Sequence, residues 1–488
     1  MKHTSESTRS SMARFVLLTP VLLLAVACGA EEPVDTPYDL VITNGRVVDP
    51  ESGLDAVRTV AIRDGRVVLI LDGDLWGDRT IDATGLVVAP GFIDLHEHGQ
   101  NEESYALMVR DGVTSAFELE VGTGDVDAWY AEREPGQLVN FGVSIGHIPT
   151  RMAVLGDPGQ DLLPSGIGGF GSASPEQIEE MEGLIRVGLQ QGAVAVGFGS
   201  AYTPGAEMSE IARLFSVAAE YGAVSHIHMR GGLAGLDSTI AAARAARAPL
   251  HIVHANSSAG AAIGPFLEMI ESARDDGGDV TTEIYPYGAG MTEIQSALFD
   301  DWESWPDEAF ASYQLVSTGA RATRETFARA RVEGGTVIIH SRSEELTRAA
   351  VASPLPMFAS DGFIDEGGGH PRTSGTYSKV LGRYVREQGV LSLAEAIRRM
   401  TLEPALRLQT RVPEMALKGR IMLAGHADIT IFDPETVIDR STYEDAMIPA
   451  DGINYVIIAG EVVVDGGDLT SARPGRAIRA RTSARAAN

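Results

Sequence analysis

Ala89-Pro-Gly-Phe-Ile-Asp-Leu-His-Glu-His98 is the stretch on which the fold turns. A short apolar run ends in two histidines at i and i+2. Alternate residues of a strand point the same way, so both imidazoles can face one barrel mouth and reach one metal ion. His226-Ile227-His228 repeats the spacing, His254 ends another apolar run, and Asp361 stands in Ser360-Asp361-Gly362. A lone His-x-His is a weak signal, because two partly buried histidines give the same pattern. Nitrogen ligands with a carboxylate suit zinc, and an open coordination position makes such a site catalytic.

Outward from that stretch, the middle of the chain alternates short apolar strands with helical stretches, the pattern of a parallel sheet or barrel. Eight strands are expected around Phe92, Ala116, Val143, Val194, Ile227, Ile252, Thr282 and Phe358. Eight such units predict an α/β fold, a (β/α)8 TIM barrel over 89–410, with functional side chains at the C-terminal strand ends. Ser174, Pro175 and Gln177 form a capping box ahead of Ile178, Met181, Ile185 and Leu189 on one helix face, and Gly192 can close that helix. Ser392 to Glu395 reads as a second box. Pro158 to Ser174 and Met291 to Asp307 read as Gly-rich or polar loops inserted in the barrel.

Both ends of the chain have another style. Asp39-Leu-Val-Ile-Thr precedes Asn44-Gly45, Val60-Ala-Ile-Arg precedes Asp64-Gly65, and Tyr455 to Val464 precedes Asp465-Gly466. Asn-Gly and Asp-Gly between apolar runs are hairpin signals. Residues 38–88 and 411–475 are therefore expected to build one small β-sandwich domain from both termini.

Residues 1–27 read as an export signal: Lys2, Arg9 and Arg14 precede the apolar run Phe15 to Ala27. Ala25-Val26-Ala27-Cys28-Gly29 resembles a bacterial lipobox, and Cys28 is the only cysteine. Lipidation of Cys28 would anchor the protein, with 28–37 as a polar tether; cleavage near Ala27 without lipidation is the alternative. The expected location is the bacterial cell envelope, and the only membrane contact is the lipid on Cys28. The net charge is −28; removing residues 1–27 leaves 36 basic against 66 acidic residues, or −30. Such a surface repels nucleic acid and anionic lipid. The segment 476–488 closes the chain as a basic tail, read as solvated.

From Tyr38 onward the chain resembles the amidohydrolase superfamily, and within it the N-acyl-D-amino-acid deacylase (D-aminoacylase) group. The carrying residues are Asp39 to Asp49, Ala89 to His98, Ala201-Tyr-Thr-Pro-Gly205, His228-Met-Arg230, Tyr285-Pro-Tyr287, Ser360-Asp-Gly362, His370-Pro-Arg372, Lys379 to Tyr384, Gly425 to Ile429 and Ala472 to Arg476. The resemblance implies one or two zinc ions, with His228 and His254 as tight ligands and His96 and His98 holding a second or weaker metal. It implies Asp361 as catalytic acid/base, and Tyr202, Tyr287 and Arg372 around the substrate. Arg372 could fork onto a substrate carboxylate; a loop salt bridge is its plainer role. Tyr285 and Tyr287 share a strand face, so one is expected to contact substrate and the other to pack.

The chain also departs from the group. The group's second strand supplies a cysteine ligand, whereas this chain reads Phe117-Glu118-Leu119-Glu120-Val121. Glu120 lies nearer the C-terminal strand end and is the expected replacement ligand, with Glu118 as the competing choice. Two like charges pointing into a barrel are costly unless neutralised. Other superfamily branches bridge with a fourth-strand lysine, and Ala193 to Ser200 has none. His226 is expected in the core and His147 either beside the site or not; His3, His340 and His426 have no supporting context. The implied activity is hydrolysis of a linear amide in a small molecule carrying a carboxylate. The alternatives are a cyclic amidase, deaminase or dipeptidase on the same scaffold, and, in another class, a non-catalytic ligand-binding envelope lipoprotein.

Overall fold

The computed structural model describes residues 38–480 apart from 135, 160, 161 and 366. The export signal, Cys28, the tether, His3 and the final residues 481–488 lie outside the described residues.

Eight parallel strands follow one another in chain order: Phe92–Asp94, Val113–Thr123, Asn140–Gly146, Val196–Gly199, Ser225–His228, Leu250–Ile252, Val280–Ile284 and Met357–Phe358. The fourth begins at Val196, two residues after its expected centre. The first and eighth strands are joined through side chain and loop. Asp94 accepts from the Ser360 amide at 3.0 Å, the Asp361 amide donates to the His96 carbonyl at 2.7 Å, and Glu97 bridges Gly362. The fold is the expected (β/α)8 barrel.

Local chemistry explains the helices around it. The helix Pro175–Gln190 starts on the complete Ser174–Gln177 box and buries Met181, Ile185 and Leu189. At Ser392 only half of the expected box forms. Ser392 accepts from the Glu395 amide, but the Glu395 carboxylate turns to Arg398 at 2.8 Å, a stronger charged partner than a backbone amide.

The two chain ends build one β-domain. Five strands from the N-terminal side and four from the C-terminal side join in a single nine-stranded sheet, linked where Val87–Pro90 pairs antiparallel with Ile429–Phe432. One set of its apolar residues, including Ile42, Val60, Ile62 and Ile431, forms a separate cluster. The alternate set, including Val87, Val456 and Ile458, packs with the barrel core. Asp64-Gly65 is a hairpin turn with φ of 51° and 70°. Asn44-Gly45 is not. The strand Tyr38–Asp49 runs through it, and the pair forms a bulge that shifts register between Ile42 and Gly45.

Two further expectations are corrected. Met291 to Asp307 is no simple polar loop. It belongs to an inserted unit in which Ala289–Glu293, Tyr313–Leu315 and Thr336–His340 form an antiparallel sheet. Phe299, Phe310, Phe327, Trp305 and Tyr313 pack beneath it as an aromatic cluster, which is why a segment rich in acids and serines folds. The basic tail is not solvated as far as Ala480. Ile478 is buried among Phe117, Val194 and Leu408 at the N-terminal end of the barrel, its amide donates to Phe141, and Ala480 donates to Gly192. Arg479 adds an ion pair with Asp127 at 2.7 Å and lies over the Tyr130 ring.

Candidate active site

His96 and His98 leave the first barrel strand on the same face. Their Nε2 atoms lie 3.1 Å apart. The opposite ring nitrogens are held by carboxylates: His96 Nδ1 is 2.5 Å from Glu283 Oε1, and His98 Nδ1 is 2.6 Å from Glu118 Oε2. With each Nδ1 held by a carboxylate, both Nε2 atoms face each other and Glu120, an arrangement that fits ligands of a cation.

Glu120 stands at the centre. Its Oε2 lies 2.6 Å from His96 Nε2, 3.7 Å from His98 Nε2 and 3.6 Å from His254 Nε2, while Oε1 lies 2.9 Å from His228 Nδ1. Asp361 Oδ1 is 3.5 Å from both His96 Nε2 and His98 Nε2. Two donor groups result, His96–His98–Glu120–Asp361 and Glu120–His228–His254; within each, the ligand atoms lie within 4.8 Å of one another. Glu120 is common to both. Glu118 does other work. Besides His98 it accepts from the Val121 and Gly122 amides, which aims it away from the shared centre.

Two of these residues hold left-handed backbone conformations, His254 at φ 32° and Asp361 at φ 52°. Such conformations cost of order 1–3 kcal/mol each in non-glycine residues and gather at functional sites. Burial pushes the Asp361 carboxyl up, but the Arg372 guanidinium and then His96 more than offset it and hold it at about 2. Burial also opposes charge on His96, yet Asp361, Glu283 and Glu120 together keep its pKa raised.

A cavity of about 570 Å³ opens over this cluster, lined by His98, Glu120, His228, His254, Asp361 and Arg372 among others. Tyr202 also lines it, its ring edge-on to His228 at 4.7 Å. Arg372 is fully buried with Nη1 2.7 Å from Asp361 Oδ2, so the ion pair expected as its plainer role is made with the site's own aspartate. Tyr285, not Tyr287, lines the cavity. Tyr287 donates to Asp439 at 3.1 Å and lies under the Lys379 ammonium; that charged pair draws it to the far side of the strand end.

His226, His147, His340 and His426 stand outside the cluster. His226 is buried with its ring 4.5 Å from that of His251. His147 pairs with Glu210, which also binds Arg151. His340 contacts Gln314, and His426 lies 3.5 Å from Glu414.

Sequence reading missed Glu283 and His251. Glu283 braces His96 with one oxygen and meets His251 Nε2 at 3.0 Å with the other. Its signal was a lone acid in the β-branched seventh strand, Thr281-Thr282-Glu283-Ile284. Partners of this kind orient a ligating imidazole. Glu283→Gln is expected to weaken metal binding at the His96–His98 group by about 10–100-fold. Competition with a chromophoric chelator measures it, and unchanged affinity would remove Glu283 from the site.

A buried His/carboxylate cluster at the C-terminal mouth of a (β/α)8 barrel, beside a cavity, is the arrangement of a metal-dependent hydrolase. Sequence comparison agrees. The model of the amidohydrolase family matches residues 79–464. The chain is 31% identical to an N-acyl-D-glutamate deacylase of Alcaligenes xylosoxydans xylosoxydans, over 90% of this chain and 96% of that one. It is 26% identical to a D-aminoacylase of the same organism, over 92% and 99% of the two chains. The crystal structure of an N-acyl-D-glutamate deacylase from Bordetella bronchiseptica, complexed with zinc and a phosphonate mimic of the tetrahedral intermediate, superposes with a TM-score of 0.76 at 24% identity, covering 91% of this chain and all of that one. The chain belongs to the amidohydrolase family.

Proposed function

We propose that this protein is a zinc-dependent deacylase of N-acyl amino acids, with the D-configured substrates of its relatives as the first choice. The observation that carries the reading is the convergence of four histidine nitrogens on the two oxygens of Glu120, with Asp361 at the edge of the cavity. His96 and His98 would hold one ion, His228 and His254 another, and Glu120 would belong to both. When bound, such an ion acidifies water to a pKa of about 7 and polarises a carbonyl. The protein's own groups do the rest. Asp361, ionised beside Arg372, accepts the proton of the attacking water and returns it to the leaving nitrogen. Tyr202 and Tyr285 fill the cavity walls and limit water around the amide. Arg372 holds Asp361 in place and faces the cavity from within the pair, where a substrate carboxylate would meet it.

The reading is tested with the metal-loaded protein on N-acetyl-D- and N-acetyl-L-amino acids, dipeptides and cyclic imides. Release of free amino acid from the N-acetyl-D series, abolished by a chelator and restored by zinc, is the expected result. Turnover of cyclic imides alone would replace it with a cyclic amidase.

The chain's beginning supports an exported, lipid-anchored protein, through the basic and apolar run before Ala25-Val-Ala-Cys28. Cys28→Ser is expected to move the protein from the membrane fraction to the soluble envelope fraction. Wild-type protein already in the soluble envelope fraction would leave simple secretion as the reading.

A further inference from the structure

We propose that the acyl group of the substrate is an extended apolar chain rather than acetyl, and that the substrate carries a single carboxylate; this rests on the deacylase reading above. The cavity, about 570 Å³, lies in the range of clefts that take up drug-sized ligands, and an N-acetyl amino acid leaves much of it unfilled. It runs from buried floor to open surface. Val121 and His254 at the floor are each 3% exposed, while Leu162 and Leu298, which also line it, are 36% and 38% exposed. Those two leucines come from different parts of the chain, the loop after the third strand and the inserted aromatic unit. Between floor and rim, Leu163, Met291, Ile339 and Phe363 supply apolar side chains among polar ones such as Thr292, Glu293 and Gln295. An amino-acid side chain is short. With the amide carbonyl at the histidine cluster, an extended acyl chain is what covers both the inner wall and the two leucines at the mouth.

The charges decide the rest. Among the described residues lining the cavity, Arg372 is the only Lys or Arg, and it is paired with Asp361. Arginines nearby are also engaged, Arg331 by the carbonyls of Ile294 and Ser296 and by Asp300. Arg342 donates to the Tyr285 hydroxyl and the Tyr287 carbonyl, and Arg230 donates to the carbonyls of Ser200, Thr203 and Ala206. Positions 160, 161 and 366 are Gln, Asp and Glu, so none of them adds a cation. Glu293 and Glu333 add negative charge to the lining. A second substrate carboxylate would be taken out of water with no free lysine or arginine to receive it, which is costly. N-acyl-D-glutamate, the substrate in the name of one relative, carries that second carboxylate.

The reaction is balanced by water alone. Its oxygen bonds to the acyl carbon, the carbon–nitrogen bond breaks, the nitrogen takes a proton, and a long-chain carboxylate and a free amino acid leave.

The test compares kcat/KM of the metal-loaded protein in three substrate sets, each as both enantiomers. The first lengthens the acyl chain from acetyl through butyryl to octanoyl on one neutral amino acid. The second keeps acetyl and lengthens the side chain. The third places the same acyl groups on glutamate. Full burial is worth about fourfold per methylene, and the half-exposed rim reduces this to at least about tenfold from acetyl to octanoyl. Glutamate is expected at least about a hundredfold below its neutral counterpart. Leu298→Asp should bring the octanoyl-to-acetyl ratio towards one. The highest kcat/KM with acetyl, a gain seen only when the side chain is lengthened, or a preference for glutamate would each overturn the proposal. No turnover in any set, acetyl included, would overturn the deacylase reading and this proposal with it.

Discussion

Asp361→Asn is expected to keep the ion held by His228, His254 and Glu120 while turnover falls by about 10²–10⁴-fold. Asparagine has nearly the same shape, so the left-handed backbone at φ 52° and the amide bond to the His96 carbonyl can persist. It cannot accept a proton at neutral pH. Asp361 is suited to that task by position, with Oδ1 3.5 Å from both His96 and His98 and Oδ2 on Arg372, so the carboxylate is ionised and its direction is set. The substitution also leaves the Arg372 guanidinium with a neutral partner inside the protein. Some loss of thermal stability is therefore expected beside the loss of rate. Elemental analysis, circular dichroism and kcat on one preparation separate the effects. Near-normal kcat in a metal-replete, folded variant would end the acid/base assignment.

Glu120→Ala is expected to be as severe for a different reason. Glu120 is the one residue common to both donor groups, so its removal strips an oxygen from each. His228 and His254 are then left without a carboxylate in their group, and His96 and His98 keep only Asp361. Loss of an outer partner alone costs about 10–100-fold in metal affinity, and loss of a shared ligand should exceed a hundredfold. Glu120→Cys is the informative companion. The D-aminoacylase group, which the chain resembles, places a cysteine ligand on this strand, so a thiolate here should recover metal where alanine does not. Glu118→Ala is the counter-test. Glu118 holds the outer nitrogen of His98, and its loss should weaken one ion without emptying the site. Metal retained in Glu120→Ala but lost in Glu118→Ala would reverse the two roles.

The division between these glutamates shows how far residue order reaches. Strand alternation places Glu118 and Glu120 on one face and cannot say more. The choice is made by the bend after Glu118, where the Val121 and Gly122 amides and His98 capture its two oxygens. The two tyrosines repeat the lesson. Tyr285 and Tyr287 are equivalent in an alternating strand, and Asp439 with Lys379, both far along the chain, draws one of them off. Arg372 was legible as a cation near the site, but its partner is Asp361.

By itself the sequence determined the barrel, the β-domain from both ends, and the cluster of His96, His98, His228, His254 and Asp361. Periodicity and strand-end position are local properties, and local properties are written in residue order. Only the tertiary structure decided that Glu283 and His251 brace His96, that an aromatic unit walls the cavity, and that Ile478 docks the tail against the barrel. Each depends on which distant groups meet after closure. A buried charge or an exposed apolar side chain settles on whichever partner the fold brings within reach.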